Sequence, residues 1–303
     1  MNDTDSFLTR YNYNQRPAAF EYFTSLVLSE ILTTVHYEKS KDPGKGERVV
    51  WNGKINPIDK SIGGDPDMIC ECKGYWLLCE ASLGNENKQW RNELSTIEKH
   101  YDEYLYSIKL NQEDLSTVFL CRNINEYSIS NIQPILEKLR MVILTDEMLL
   151  SIREIAKIVP FINHSELRTL FEDLNEILKS SSKPSEYVSR ATEKLNEWGR
   201  IILESQKYIV YGIESYKILR SRPTNEQWLD LSAIYSRLGE MERVKKLLEI
   251  AKTTIKPADI TRSIIEHRFA TYVGRAVEAK LYAPVPPSDL DATYKKILTD
   301  ALT

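Results

Sequence analysis

The spacing of apolar residues divides the chain into a mixed N-terminal part and a helical C-terminal part. Residues 16–35 and 85–109 repeat apolar side chains at helical intervals. Short apolar runs between and after these helices are typical of buried strands; they read "DMICEC", "YWLLCEASL", "STVFLC" and "RMVILT". Lys73 and Gly74 join the first two runs as a hairpin turn, and a further short strand is predicted at "RVVWN".

From Glu147 to Thr303 the periodicity is essentially helical throughout. We therefore predict an α/β fold with an all-α C-terminal region, divided into a domain of residues 1–150 and a helical domain of residues 151–303. Residues 226–257 are spaced much like one tetratricopeptide helix pair. No neighbouring copies follow, so an ordinary amphipathic helical hairpin is favoured.

Composition fits a folded protein without membrane segments. Hydrophobic residues make up 42% and charged residues 28% of the 303 residues. No apolar run reaches membrane-spanning length, and the polar N-terminus lacks a secretory signal. The 4 cysteines lie in apolar, strand-like stretches, which suits a reducing cytoplasmic location. The net charge of −4 gives no nucleic-acid signature for the whole chain, although a local face can still be basic.

Acidic residues interrupt the predicted hairpin. Asp67 opens its first strand, and Glu80 lies on the second strand with Ser82 on the same face. Burying such charges is costly unless they are paired or bind a metal. A structural role is the simpler alternative to a metal site: Asp67 would cap a turn, and Glu80 would pair with a lysine. Glu80 follows Asp67 by 13 residues, and Glu93 follows Glu80 by 13 residues. Glu93 lies on a predicted helix, on a stripe of residues that continues to His100. Converging carboxylates of this kind suit Mg²⁺.

The order "PD", hairpin, "ExS" resembles the PD-(D/E)xK nuclease superfamily, with Ser82 where the usual lysine stands. Together with "RPAAFEYFTSLV" and "KQWRNELSTIEKH", it resembles the AlwI-type family of type IIS restriction and nicking endonucleases over about residues 10 to 150. The resemblance implies a PD-(D/E)xK restriction-endonuclease-like core that cuts double-stranded DNA with Mg²⁺, for which Mn²⁺ is an expected substitute. It implies Asp67, Glu80 and Glu93 as metal ligands, and these three with Glu21 as the catalytic acids.

Two assignments stay open. Glu21 in "AFEYF" is favoured as the acid from the first helix, with Glu30 as its competitor. Without a lysine at position 82, another group must supply positive charge or orient the water. Lys88 and Gln89, at the start of the following helix, are the candidates.

The expected function is a metal-dependent endonuclease, either a type IIS restriction enzyme or its cleavage subunit. One active site cuts one strand at a time, so a homodimer or a heterodimer with another subunit is expected. Basic clusters in "RSRP", in "RVKK" and from Arg262 to Arg268 are candidates for phosphate contact, although no groove-reading motif stands out. Two alternatives to this function stay open: a nuclease of repair or phage defence, and an inactive helical-repeat interaction protein.

Overall fold

The computed structural model describes residues 17–31, 34–36, 66–72, 75–83, 87–108, 111–124, 129, 135–136, 138–162, 164–221, 228–276 and 279–298. The chain forms two compact units. The first contains residues 1–154 and 162–196, and the second contains residues 155–161 and 197–303. Residues 162–196 thus group with the N-terminal unit, beyond the predicted boundary at residue 150. The division into domains of residues 1–150 and 151–303 stays a prediction.

The first unit is built on a five-stranded mixed sheet in the order β1-β2-β3-β4-β5. Its strands are β1 (Thr34–His36), β2 (Met68–Cys72), β3 (Tyr75–Ser82), β4 (Leu115–Cys121) and β5 (Val142–Thr145). The first three strands pair antiparallel, whereas β3, β4 and β5 run parallel. β3 is therefore the central strand, at the change from antiparallel to parallel pairing.

The central strands are buried along almost their whole length. Every residue of β4 is buried, as is every residue of β3 except Trp76. Continuous apolar runs are typical of strands that are covered on both faces. Glu80 is the one charged residue within these two strands, and it is buried with them.

Helices complete this unit. They are α1 (Pro17–Ile31), α2 (Asn87–Ile108), most of α3 (Asp146–Ile158), α4 (His164–Ser180) and the first part of α5 (Pro184–Arg220). Contacts join α1 to β1 and β3, α2 to β4, and α4 to β5. The hydroxyl of Tyr187 donates to the carbonyl of Ile143 at 2.6 Å, and the amide of Asn175 donates to the carbonyl of Met141 at 2.7 Å. These bonds fix α5 and α4 to the β5 segment.

The predicted helices and apolar strands of this unit are present, with one difference at the end of the first helix. Thr34 and Val35, predicted as helical, lie in β1 and pair with Glu71 and Cys70. Both are β-branched and fit a strand better than a helix. The strand at "RVVWN" and the turn at residues 73–74 lie outside the described residues, as does part of the helix at "NIQPILEKL".

The second unit combines helices with a small sheet. After the remainder of α5 come β6 (Leu229–Asp230), α6 (Leu231–Leu238), α7 (Glu242–Ala251), α8 (Pro257–Glu266), β7 (Ala270–Ala276), β8 (Ala279–Pro284) and α9 (Ala292–Ile297). The prediction of an all-α C-terminal region is therefore wrong. A register shift between Tyr272 and Gly274 interrupts the ladder of β7 and β8, and with it the alternation that marks a strand.

The repeat-like spacing of residues 226–257 corresponds to two short helices, α6 and α7, of 8 and 10 residues. Trp228 and Tyr235 are 47% and 40% exposed, so they do not form the core of a helical repeat. No helix in the described part of the chain has the length and apolarity needed to cross a membrane.

Candidate active site

Strand register brings Asp67 and Glu80 together. Met68 pairs with Cys79 across the antiparallel β2–β3 hairpin, so the preceding Asp67 lies beside Glu80. One carboxylate oxygen of Asp67 accepts a hydrogen bond of 3.0 Å from the backbone N–H of Ala81. This bond fixes Asp67 against β3. The two acids are 8% and 6% exposed, so they share a nearly dry site.

The pKa of the Glu80 carboxyl is raised to about 7. Burial is the main cause, because it disfavours the charged form. A hydrogen bond with His100 acts in the opposite direction, while the neighbouring charge of Asp67 and a hydrogen bond with it raise the pKa further. Burial and the neighbouring acid thus outweigh the hydrogen bond with His100, so the ionised form of Glu80 is destabilised at this position.

His100 is a buried partner of Glu80 to which the sequence assigned no role. It lies on α2, and its Nδ1 shares a hydrogen bond of 2.5 Å with Oε1 of Glu80. The pattern that could have identified it was its place on the same helical stripe as Glu93. A single histidine on an apolar stripe is not diagnostic, because it fits a packed core equally well.

Glu93 reaches the same part of the sheet from α2. Its Oε1 accepts a hydrogen bond of 3.2 Å from the hydroxyl of Ser82, two residues after Glu80 on the same face of β3. The structure therefore brings Glu93 to the neighbourhood of the acidic pair, as the sequence predicted. Its role as a metal ligand stays a prediction. The side chains of Lys88 and Gln89 lie outside the described part of the chain.

The two candidate acids of α1 differ in their surroundings. Glu30 forms an ion pair with the buried guanidinium of Arg153, including a bond of 3.2 Å from Nη2 to Oε1. Glu21 is half-buried. One turn later on the same helix, Thr24 donates to the sulfur of Met68 at 3.6 Å, next to Asp67 in the chain. Glu30 thus forms an ion pair within the unit, and the choice between Glu21 and Glu30 stays a prediction.

The donor set of Asp67 and Glu80 fits Mg²⁺. This ion is usually held by one or two carboxylates, with water completing its shell. Burial is the main cause of the raised pKa of Glu80, and repulsion by Asp67 adds to it; a divalent cation would remove that repulsion. Among the described residues, no set of three or more His, Cys, Asp and Glu side chains forms a metal-binding cluster. The fit thus rests on two carboxylates.

Restriction endonucleases are the class to which the comparisons with known proteins point. The model of the AlwI restriction endonuclease family matches residues 2–170. Since this match spans more than half of the 303 residues, the chain belongs to the AlwI restriction endonuclease family.

One solved structure of a restriction endonuclease subunit is similar to this chain. The small subunit (R.BspD6I2) of the heterodimeric restriction endonuclease R.BspD6I is similar at 20% sequence identity with a TM-score of 0.41, over 67% of this chain and 96% of that chain. This similarity is below the level that establishes a shared fold. No curated protein matches the chain.

Proposed function

We propose that this protein is a metal-dependent endonuclease with a PD-(D/E)xK-type site, which hydrolyses phosphodiester bonds of double-stranded DNA. The observation that carries the proposal is the buried contact between Asp67 and Glu80, in which the pKa of Glu80 is raised to about 7. Two acids placed together in the central sheet cost stability. Membership of a restriction endonuclease family supplies a reason for that cost.

Asp67 and Glu80 would hold Mg²⁺, with Mn²⁺ as a substitute. When bound, such an ion lowers the pKa of an attacking water and stabilises charge on the scissile phosphate. The chain contributes the orientation of the ligands: the Ala81 N–H holds Asp67, and His100 holds Glu80. Hydrogen-bonded partners of this kind tune metal ligands.

Glu93 and His100 would together replace the lysine that usually stands at the position of Ser82 in PD-(D/E)xK nucleases. Ser82 holds the carboxylate of Glu93, which we assign to a second ion or to the attacking water. His100 offers a positive charge beside Glu80 when its ring is protonated. Glu21 remains our proposed fourth acid for its place in "AFEYF", and Glu30, which pairs with Arg153, remains its competitor.

The proposed biological role is a type IIS restriction enzyme or its cleavage subunit. One site of this kind cuts one strand, so cleavage of both strands needs a second site from another copy or from a different subunit. A nuclease of repair or phage defence would share the same site. Cuts at fixed positions, as opposed to random ones, distinguish the restriction role.

The test is cleavage of supercoiled plasmid with Mg²⁺. We expect native protein to nick or cut, and Glu80→Gln to be inactive. Glu98→Gln is a matched control, because Glu98 lies on the neighbouring helix α2 but pairs with Lys138 at 2.9 Å. If native protein cuts nothing with Mg²⁺ or Mn²⁺, either alone or with a candidate partner subunit, the proposal is wrong. If Glu80→Gln cuts as well as native protein, the site is wrongly assigned.

A further inference from the structure

The second unit contains a strand–helix–strand order that the sequence did not reveal. β6 precedes three helices, α6 to α8, and the antiparallel hairpin β7–β8 follows them. The sheet order is β6-β8-β7, so the first strand pairs with the last one. A short strand, helices and a hairpin, with the first strand paired to the last, resemble winged-helix modules, which many proteins use to bind duplex DNA; those modules have two helices where this unit has three.

Helices α6 and α7 have the spacing of a helix-turn-helix. Only residues 239–241 separate the end of α6 at Leu238 from the start of α7 at Glu242. A turn of three to four residues, often with a glycine, joins the helices of this motif. Here Gly239 caps α6, and the carboxylate of Asp230 caps the start of α6 by accepting from the N–H of Ala233 at 2.8 Å.

The hairpin has a firmly packed base. Phe269 is fully buried in a cluster with Ile213, Tyr216 and Val285. The N–H of Val285 donates to the carbonyl of Phe269 at 3.1 Å, which closes the base of the hairpin. The far end of β7–β8 therefore projects from a fixed support.

Two cations face each other near that far end. Arg275 and Lys280 are direct cross-strand partners in β7 and β8, and both are exposed. Like charges directly opposite each other destabilise a strand pair. Within the described part of the chain, neither cation has an ion pair or a side-chain hydrogen bond. An anion bound at the hairpin would remove the repulsion.

We propose that residues 229–284 are a winged-helix module that binds double-stranded DNA, with Arg275 and Lys280 of the β7–β8 hairpin contacting backbone phosphates. The proposal rests on the proposed function, which supplies DNA as the substrate. The paired cations favour a polyanion over a protein partner on this hairpin. Phosphate contacts position a protein on the duplex without reading its sequence, so no base preference is assigned to the hairpin.

The experiment measures the binding of full-length protein to a labelled duplex, without divalent metal, over a range of salt concentrations. The test variant is Arg275→Ala with Lys280→Ala. The matched control is Lys183→Ala with Arg190→Ala, which removes two cations from the surface of the first unit. Because each phosphate contact releases counterions, losing two should reduce the slope of log affinity against log salt by about 2. The control should keep the native slope.

The outcomes separate this inference from the nuclease proposal. A weaker affinity and a shallower slope in the test variant alone support the hairpin contact. An unchanged slope, or no duplex binding by native protein, overturns it and leaves the hairpin as a surface for a protein partner. Plasmid nicking by native protein and Glu80→Gln is measured in a separate assay. If that assay contradicts the nuclease proposal, the result of the metal-free binding experiment still stands.

Discussion

Two buried glutamates, one in each unit, have opposite neighbours. In the first unit Glu80 is buried beside another acid, Asp67, and the pKa of Glu80 is raised. In the second unit Glu214 is 2% exposed but lies between two cations, Lys217 at 2.9 Å and Arg243 at 3.2 Å. Both sites cost desolvation. Two cations beside Glu214 are typical of a structural ion pair. Glu80 has one partner that opposes the shift, His100, but burial and the neighbouring Asp67 outweigh it and keep the pKa of Glu80 raised.

The largest expected effect is the loss of cleavage in Glu80→Gln. A bound metal contributes several kcal/mol to the stabilisation of the transition state, so the rate should fall on the order of 10³-fold or more. The same change should raise the free energy of unfolding at about pH 8 by about 1 to 3 kcal/mol, since it removes a buried charge whose desolvation and repulsion by Asp67 outweigh its bond with His100. Plasmid nicking rates and urea unfolding of the metal-free protein measure the two effects.

The pH dependence of this stability gain has a definite sign. The pKa of Glu80 is raised in the folded state, so the folded protein keeps its proton while the unfolded chain loses it. The free energy of unfolding of native protein should fall as the pH rises from about 4.5 to about 7. The advantage of Glu80→Gln should therefore vanish below about pH 4.5. A variant that is less stable than native protein at about pH 8 would contradict the contrast with Glu214.

Glu214→Gln should give the reverse result. Removing one partner of a buried ion pair typically costs about 3 to 5 kcal/mol. We expect about 3 kcal/mol here, because Lys217 is about one third exposed and can be rehydrated. Arg243 keeps its bond to the carbonyl of Ile158. Thermal unfolding measures the loss, and plasmid nicking well below the new melting temperature should match native protein. Lost nicking in a folded sample would mean that Glu214 also serves activity.

A smaller effect is expected from His100→Asn. Loss of a residue that orients a metal ligand typically lowers activity about 10- to 100-fold. His100 also lowers the pKa of Glu80 through its hydrogen bond. The pH of half-maximal nicking should therefore move upward in the variant. A loss of rate with an unchanged pH profile would mean that His100 only fills space.

The smallest effect concerns packing in the second unit. A Cβ at Gly212 would lie 2.3 Å from Cδ2 of Phe269, so Gly212→Ala should cost about 1 to 3 kcal/mol by overpacking. Gly239→Ala is the matched control, because its Cβ would lie 3.6 Å from the nearest atom and its φ of −67° suits any residue. Urea unfolding compares the two. Equal stability of both variants would mean that helix α5 is not closely packed on Phe269.

The sequence predicted the first unit better than the second. Long apolar runs predicted four strands of the sheet, and the hairpin predicted from two of them placed Asp67 near Glu80. The pairing of Glu30 with Arg153 could not be predicted, because 123 residues separate them. The second sheet was missed because β6 has 2 residues and a register shift interrupts the β7–β8 pairing. His100 lay on a predicted stripe, but only the fold shows its contact with Glu80.

The central claim is that Asp67 and Glu80 together bind a divalent cation. Calorimetric titration of Mg²⁺ into native protein and Glu80→Gln tests it most directly, at about pH 6.5 and again at about pH 8, on either side of the raised pKa of Glu80. Because a carboxylate must lose its proton to bind metal, native protein should release protons on binding at the lower pH and almost none at the higher pH. Glu80→Gln should show no binding at either pH. Equal binding by the variant, or no binding by native protein, would contradict the account.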